Sequence, residues 1–162
     1  MKKMILGLTG GLLLMGNVAG VQAADPVWLE GKNDQVYNIK VYHSPSCGCC
    51  KGWIDHLEDH NFQVESIEMN DVNPIKQQYG VPQQGASCHT ALVNGKVIEG
   101  HVPAQDIKTL LASQNNIHLL TVPGMPSGGP GMDFDGVRKD DFSVYAMDKN
   151  GKVSTYNRYE DY

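Results

Sequence analysis

The sequence has little positive charge: 13 Lys and Arg stand against 18 Asp and Glu, a formal net charge of −5. Nucleic acids and anionic membranes select basic surfaces, so this balance argues against a nucleic-acid partner and against a polybasic membrane anchor. Long apolar runs are missing too, with one exception at the N-terminus. Met1-Lys2-Lys3 is a basic start, Met4 to Val18 is apolar and uncharged, and Val21-Gln22-Ala23 places small residues at the −3 and −1 positions. That run is too short to span the roughly 30 Å of membrane hydrocarbon, so residues 1–23 read as a secretory signal peptide cut after Ala23. No cysteine at the junction marks a lipoprotein. Loss of Lys2 and Lys3 takes the net charge from −5 to −7, because no acidic residue precedes Ala24. Residues 24–162 suit a single domain with a real core and contain no second candidate span. There is no internal repeat, no Ser/His/Asp arrangement and no phosphate loop. Asp140-Asp141 reads as a solvated strand start rather than a catalytic dyad.

Cysteine is scarce but crowded. The four are Cys47, Cys49, Cys50 and Cys88. Two structural disulfides are the plain expectation for an even count in an exported protein. The spacing argues against it, since a bridge stabilises mainly by closing a loop and three neighbours close almost none. A bridge from the cluster to Cys88 would strand two thiols.

Periodicity orders the rest. Residues 24–35 form an N-terminal extension. Val36 to Tyr42 alternates as a strand, with Ile39 and Val41 on one side. After the cysteines, Trp53, Ile54 and Leu57 form a helical stripe running to about His60. Phe62 to Met69 is a second strand, with Phe62, Val64 and Ile67 inward. Asn73-Pro74 opens a short helix that Gly80 ends. Thr90 to Val93, Asn94-Gly95 and Lys96 to Glu99 spell a hairpin, because Asn-Gly favours the type I′ turn. Pro103 opens a helix with Ile107, Leu110 and Leu111 on one face. Residues 122–136 are a Gly/Pro-rich irregular loop. Phe142 to Met147 and Lys152 to Tyr159 form a last hairpin around Asp148-Lys149-Asn150-Gly151, and Met147 is expected in the core.

Strand, cysteines, helix, strand, helix, hairpin, helix is the order of an α/β, thioredoxin-like domain, here with an added C-terminal β-hairpin. Cys47 and Cys50 form a C-x-x-C pair at the start of the first helix, where unpaired N–H groups and the helix dipole favour thiolate. The place of the cis-proline usual before the hairpin is taken by Ser87-Cys88-His89, and the nearest proline is Pro82. That topology brings Cys88 to the cluster, so four thiols converge.

Convergent thiolates bind soft metals: Cu(I), Zn(II) or iron–sulfur centres. A closed zinc site wants four separately aimed sulfurs, and adjacent Cys49 and Cys50 suit one ion poorly. They suit a small Cu(I) cluster with bridging sulfurs, whose charge four thiolates balance. Zinc remains the lesser metal alternative. The functional alternative is thiol–disulfide exchange by Cys47 and Cys50, weakened by the missing cis-proline and by a third thiol inside the motif. Candidate auxiliary ligands are His43, His89 and His101, which flank the motifs, and Met125 and Met132, which sit in the loop without a helical stripe to explain them. His56 and His60 read as solvent-facing, Trp53 as core.

The segments His43-Ser44-Pro45-Ser46-Cys47-Gly48-Cys49-Cys50-Lys51-Gly52-Trp53, Ala86-Ser87-Cys88-His89-Thr90, Val97 to Pro103 and Val122-Pro123-Gly124-Met125-Pro126 together resemble the CopG family of periplasmic copper-resistance proteins. The resemblance spans about Val36 to Met132. It implies a thioredoxin-like fold, a periplasmic location and a cysteine-bridged multinuclear copper cluster on Cys47, Cys49, Cys50 and Cys88. It also implies a role in copper tolerance, by sequestration, by transfer to a copper exporter or periplasmic copper chaperone, or by Cu(I)/Cu(II) interconversion.

Overall fold

In β1 (Tyr37–His43), Ile39, Val41 and His43 are buried at every second position. That period places one face of the strand against a packed layer. The computed structural model describes residues 26–162, and the expected signal peptide, residues 1–23, lies outside them. α1 (Gly48–Asp59) follows the cysteine loop and buries Trp53, Ile54 and Leu57. β2 (Phe62–Glu68) returns parallel to β1, with Val64 opposite Ile39. α2 (Asn73–Gln78) has Pro74 in its first turn and is followed by Gly80 at φ +70°. β3 (Thr90–Val93) and β4 (Lys96–Glu99) are joined by Asn94 and Gly95 at φ 46° and 75°, the left-handed pair a type I′ turn requires. α3 (Ala104–Ala112) buries Ile107 and Leu110 and leaves Leu111 half-buried.

These elements follow the order read from the sequence and build a mixed α/β architecture around one seven-stranded sheet, compatible with the thioredoxin-like arrangement expected. The sheet order is β2-β1-β3-β4-β5-β6-β7, parallel between β1 and β2 and antiparallel between β1, β3 and β4. β5 (Ile117–Thr121) is an addition that periodicity did not reveal. It pairs parallel with β4 and antiparallel with β6, and its last three residues are all buried. A strand covered on both faces has no alternation to read. The C-terminal hairpin, β6 (Phe142–Asp148) and β7 (Val153–Tyr159), continues the same sheet. Met147 is half-buried on the wall of an apolar cleft beside Pro82, Leu119 and Tyr145, not in the core as expected.

The extension contributes more than its position suggests. Pro26–Leu29 form a 3₁₀ turn whose Trp28 is fully buried. Its ring packs 5.2 Å from both Tyr159 and Tyr162, and its Nε1–H donates to the Gly128 carbonyl at 3.1 Å. One side chain thus ties the extension, the Gly/Pro loop and the added hairpin to the main core. Asp106 ties α3 to β7 by accepting from Asn157 and from the Tyr159 hydroxyl at 2.9 and 3.0 Å.

Candidate metal centre

The helix that carries the cysteines begins on one of them. Cys47 is the N-cap of α1: its Sγ accepts from the Cys50 N–H at 3.3 Å, and its carbonyl accepts from Lys51 N–H. That capping sets Cys47 and Cys50 on one side of the first turn, and the two are joined by a disulfide. Cys49 and Cys88 are free thiols. The loop before β3 carries Cys88 to the helix tip, and the sulfurs of Cys47, Cys49, Cys50 and Cys88 all lie within 4.8 Å of one another. Cys50 is buried and the other three are half-buried, so the group is open on one side.

A second set of donors adjoins the first. Cys88 Sγ lies 3.2 Å from His89 Nδ1 and 3.2 Å from His101 Nε2. Both rings are fully buried. His101 Nδ1 faces the Pro130 carbonyl at 2.9 Å, which only accepts, so this nitrogen carries the proton and Nε2 turns a lone pair toward Cys88. Such an outer carbonyl contact fixes the tautomer of a ligating histidine in the same way. Burial holds His101 below its ordinary pKa, against the opposing pull of that carbonyl. Burial does the same to His89 more strongly, with His101 and Lys76 adding to it. The Trp53 ring packs against His89, tilted by 36° at 4.3 Å between centroids, and its Nε1–H donates to the Val102 carbonyl. Burial, and after it the neighbouring Cys49, pushes the Cys88 thiol up to about 12, so without a metal it is a neutral S–H.

The Gly/Pro loop closes over the sulfurs from outside. Met125 Sδ lies 4.0 Å from Cys49 Sγ, and the residue is 56% exposed. Ser87 Oγ donates to the Gly124 carbonyl and anchors this end of the loop. The other end rests on α1 at Gly131 (φ +80°). A Cβ on Gly131 would sit 2.8 Å from the Cys49 carbonyl oxygen and closer still to Trp53 N, so only glycine fits.

Of the residues singled out from sequence, the structure brings together the four cysteines, His89, His101 and Met125. His43 is committed elsewhere: its Nδ1 donates to the Ser44 carbonyl and its Nε2 accepts from Ser66 Oγ at 2.7 Å. Met132 is held by backbone bonds to Gly128 and Gly129, and no contact joins its sulfur to a cysteine among the described residues. His56 and His60 are a correction, because both are buried rather than solvent-facing. His56 Nε2 accepts the Ala104 N–H at the start of α3, and His60 Nε2 meets the Trp28 carbonyl. They continue the stripe of Trp53 and Leu57 at i+3 and i+7, so the helical period carried this signal, and α3 and the Trp28 turn supply their partners. Lys76 and Glu99, a buried ion pair beside the Cys88 loop, were also missed.

Residues 85–132 match the family described as "Protein of unknown function, DUF411". No curated protein matches the chain. A solved structure described as "Copper resistance protein copG", form 2, is 39% identical with a TM-score of 0.74, covering 78% of this chain and 100% of that one. Form 1 is 40% identical with a TM-score of 0.71, covering 75% of this chain and 96% of that one. Identity at this level over essentially the whole of those chains, together with the shared fold, shows that the chain belongs to the CopG copper-resistance protein family.

Proposed function

We propose that the chain is a periplasmic protein that holds a cysteine-bridged multinuclear Cu(I) cluster on Cys47, Cys49, Cys50 and Cys88 and so contributes to copper resistance. The observation that carries this reading is the convergence of all four sulfurs within 4.8 Å of one another, in a chain whose solved relatives are copper resistance proteins. Thiolate is the donor that soft Cu(I) prefers, and a bridging sulfur serves two coppers at once. Met125 adds a thioether at the open side, and His89 and His101 add borderline nitrogen donors at the buried side. The disulfide occupies two of the four donors, so copper enters after its reduction. Cys88 enters the site as a thiol, so loading copper there releases a proton. Of the three modes, interconversion has a clear electron balance. Oxidation of the Cys47 and Cys50 thiolates to the disulfide yields two electrons, which reduce two Cu(II) to two Cu(I), and an external dithiol then restores the pair. Sequestration and transfer to an exporter or chaperone need only the ligands.

The test is Cys88→Ser. The variant should keep its fold by circular dichroism and bind fewer coppers per chain under reducing conditions. Unchanged stoichiometry would remove Cys88 from the site.

A second reading, thiol–disulfide exchange, is favoured by the Cys47–Cys50 bridge at the N-terminus of α1. Exchange by that pair predicts that Cys49→Ser still reduces insulin disulfides. A wild-type chain that reduces none excludes it.

A further inference from the structure

Glu99 ends β4 with no exposed surface, and Lys76 reaches it from α2, Nζ to Oε1 at 2.5 Å. The same Oε1 accepts the Ser87 N–H at 2.6 Å. Oε2 accepts the Thr90 hydroxyl at 2.7 Å, and that hydroxyl in turn accepts from Lys76 Nζ at 3.0 Å. One carboxylate therefore holds the backbone on the near side of Cys88-His89 and the side chain on the far side. The main chain around Glu99 completes the grip: Gly100 N–H donates to the His89 carbonyl, and Val122 N–H donates to the Glu99 carbonyl. Gly100 stands at φ +71°, and a Cβ there would lie 2.5 Å from Ser87 Oγ and 2.6 Å from the Val122 carbonyl oxygen. The strand end thus passes beneath the Cys88 loop at a distance that only glycine permits.

A buried ion pair is a poor way to stabilise a core, because desolvating both charges offsets their attraction and apolar substitutes are often as stable. Here the pair's side-chain hydrogen bonds beyond its own contact run to Ser87 and Thr90, the two shoulders of Cys88-His89. We infer that Lys76 and Glu99 form a positioning pair, which fixes Cys88 and His89 at the separation from Cys49 and Cys50 that the metal centre uses. Neither residue touches the sulfurs; the pair acts through the Ser87 N–H and the Thr90 hydroxyl. The metal half of this inference rests on the copper reading above, and the geometric half stands without it.

Two double variants separate positioning from charge. Lys76→Met with Glu99→Gln removes both charges but keeps an amide oxygen to accept the Ser87 N–H. Lys76→Met with Glu99→Leu removes the charges and the acceptor together. Three readouts apply: thermal melting, the alkylation rate of Cys88 in reduced, metal-free protein followed by peptide mass, and Cu(I) bound per chain with its thiolate-to-copper absorption. The leucine variant should alkylate at Cys88 about tenfold faster than wild type and bind less copper with an altered spectrum. The glutamine variant, which keeps the acceptor for the Ser87 N–H but loses the Lys76 arm to Thr90, should fall between wild type and the leucine variant in both. A leucine variant that matches wild type in alkylation and copper, whatever its melting point, overturns the inference. If the leucine variant does not fold, Thr90→Val removes the second arm alone and must show faster Cys88 alkylation, or the inference falls. A wild type that binds no copper sinks the copper reading, while the alkylation contrast still decides the positioning role.

Discussion

His56 offers a quantitative test of the packing around α1. It is 8% exposed, and its Nε2 accepts the Ala104 N–H that opens α3, so the folded protein needs the ring neutral. Burial, with His60 as a smaller contribution, lowers its pKa from 6.5 to about 3. The unfolded chain takes up a proton below about pH 6.5 and the folded chain does not, so stability present above that pH is lost as the pH falls toward 3. Between about pH 7 and about pH 5 this one group removes about 2 kcal/mol, at close to 1.4 kcal/mol per pH unit below its unfolded pKa. His60 is lowered by burial as well and adds in the same direction. His56→Gln keeps an acceptor for the Ala104 N–H and abolishes the titration. Urea unfolding of metal-free protein at a series of pH values should show wild type losing about 2 kcal/mol more than His56→Gln over that interval. Equal pH slopes for the two proteins, or a wild type that gains stability relative to the variant on acidification, would refute the argument.

Gly131→Ala should destabilise by about 2–3 kcal/mol, because the new Cβ meets the Trp53 and Cys49 backbone at a left-handed φ; denaturant midpoints check this. Trp28→Ala should cost about 3–5 kcal/mol by emptying the contact among Tyr159, Tyr162 and Phe142, and limited proteolysis should then cut at the C-terminal hairpin first.

What was legible in the sequence depended on whether a signal was local. The Asn94-Gly95 turn, the Pro74 helix start and the alternation of Ile39 and Val41 each act within a few residues, and each element stands where it was expected. β5 was missed because a strand buried on both sides loses its alternation, and Ile117-His118-Leu119-Leu120-Thr121 shows none. Trp53, His56, Leu57 and His60 recur at i, i+3, i+4 and i+7, the spacing of one buried helix face, so the helical period itself places both histidines inward. Their partners, the Ala104 N–H and the Trp28 carbonyl, lie in elements distant in the chain and are not legible in it. The site divides in the same way. Three cysteines in four positions are read directly, and Cys88 follows once the strand order is known. The Glu99 grip is invisible beforehand, since a Lys and a Glu separated by 23 residues look like surface charges until the sheet brings them together. Met125 and Met132 looked equivalent in the loop, yet the Ser87–Gly124 contact and the fit of Gly131 against α1 bring only the sulfur of Met125 against a cysteine among the described residues.

Copper held by these four sulfurs is what the convergence at the tip of α1 implies. The most direct measurement is elemental analysis of the untagged, reduced protein, paired with a free-thiol count before and after a Cu(I) chelator. Several coppers per chain are expected, with four thiols that react only once the metal has been stripped. A chain that carries no copper, with its thiols reactive from the start, would contradict that expectation.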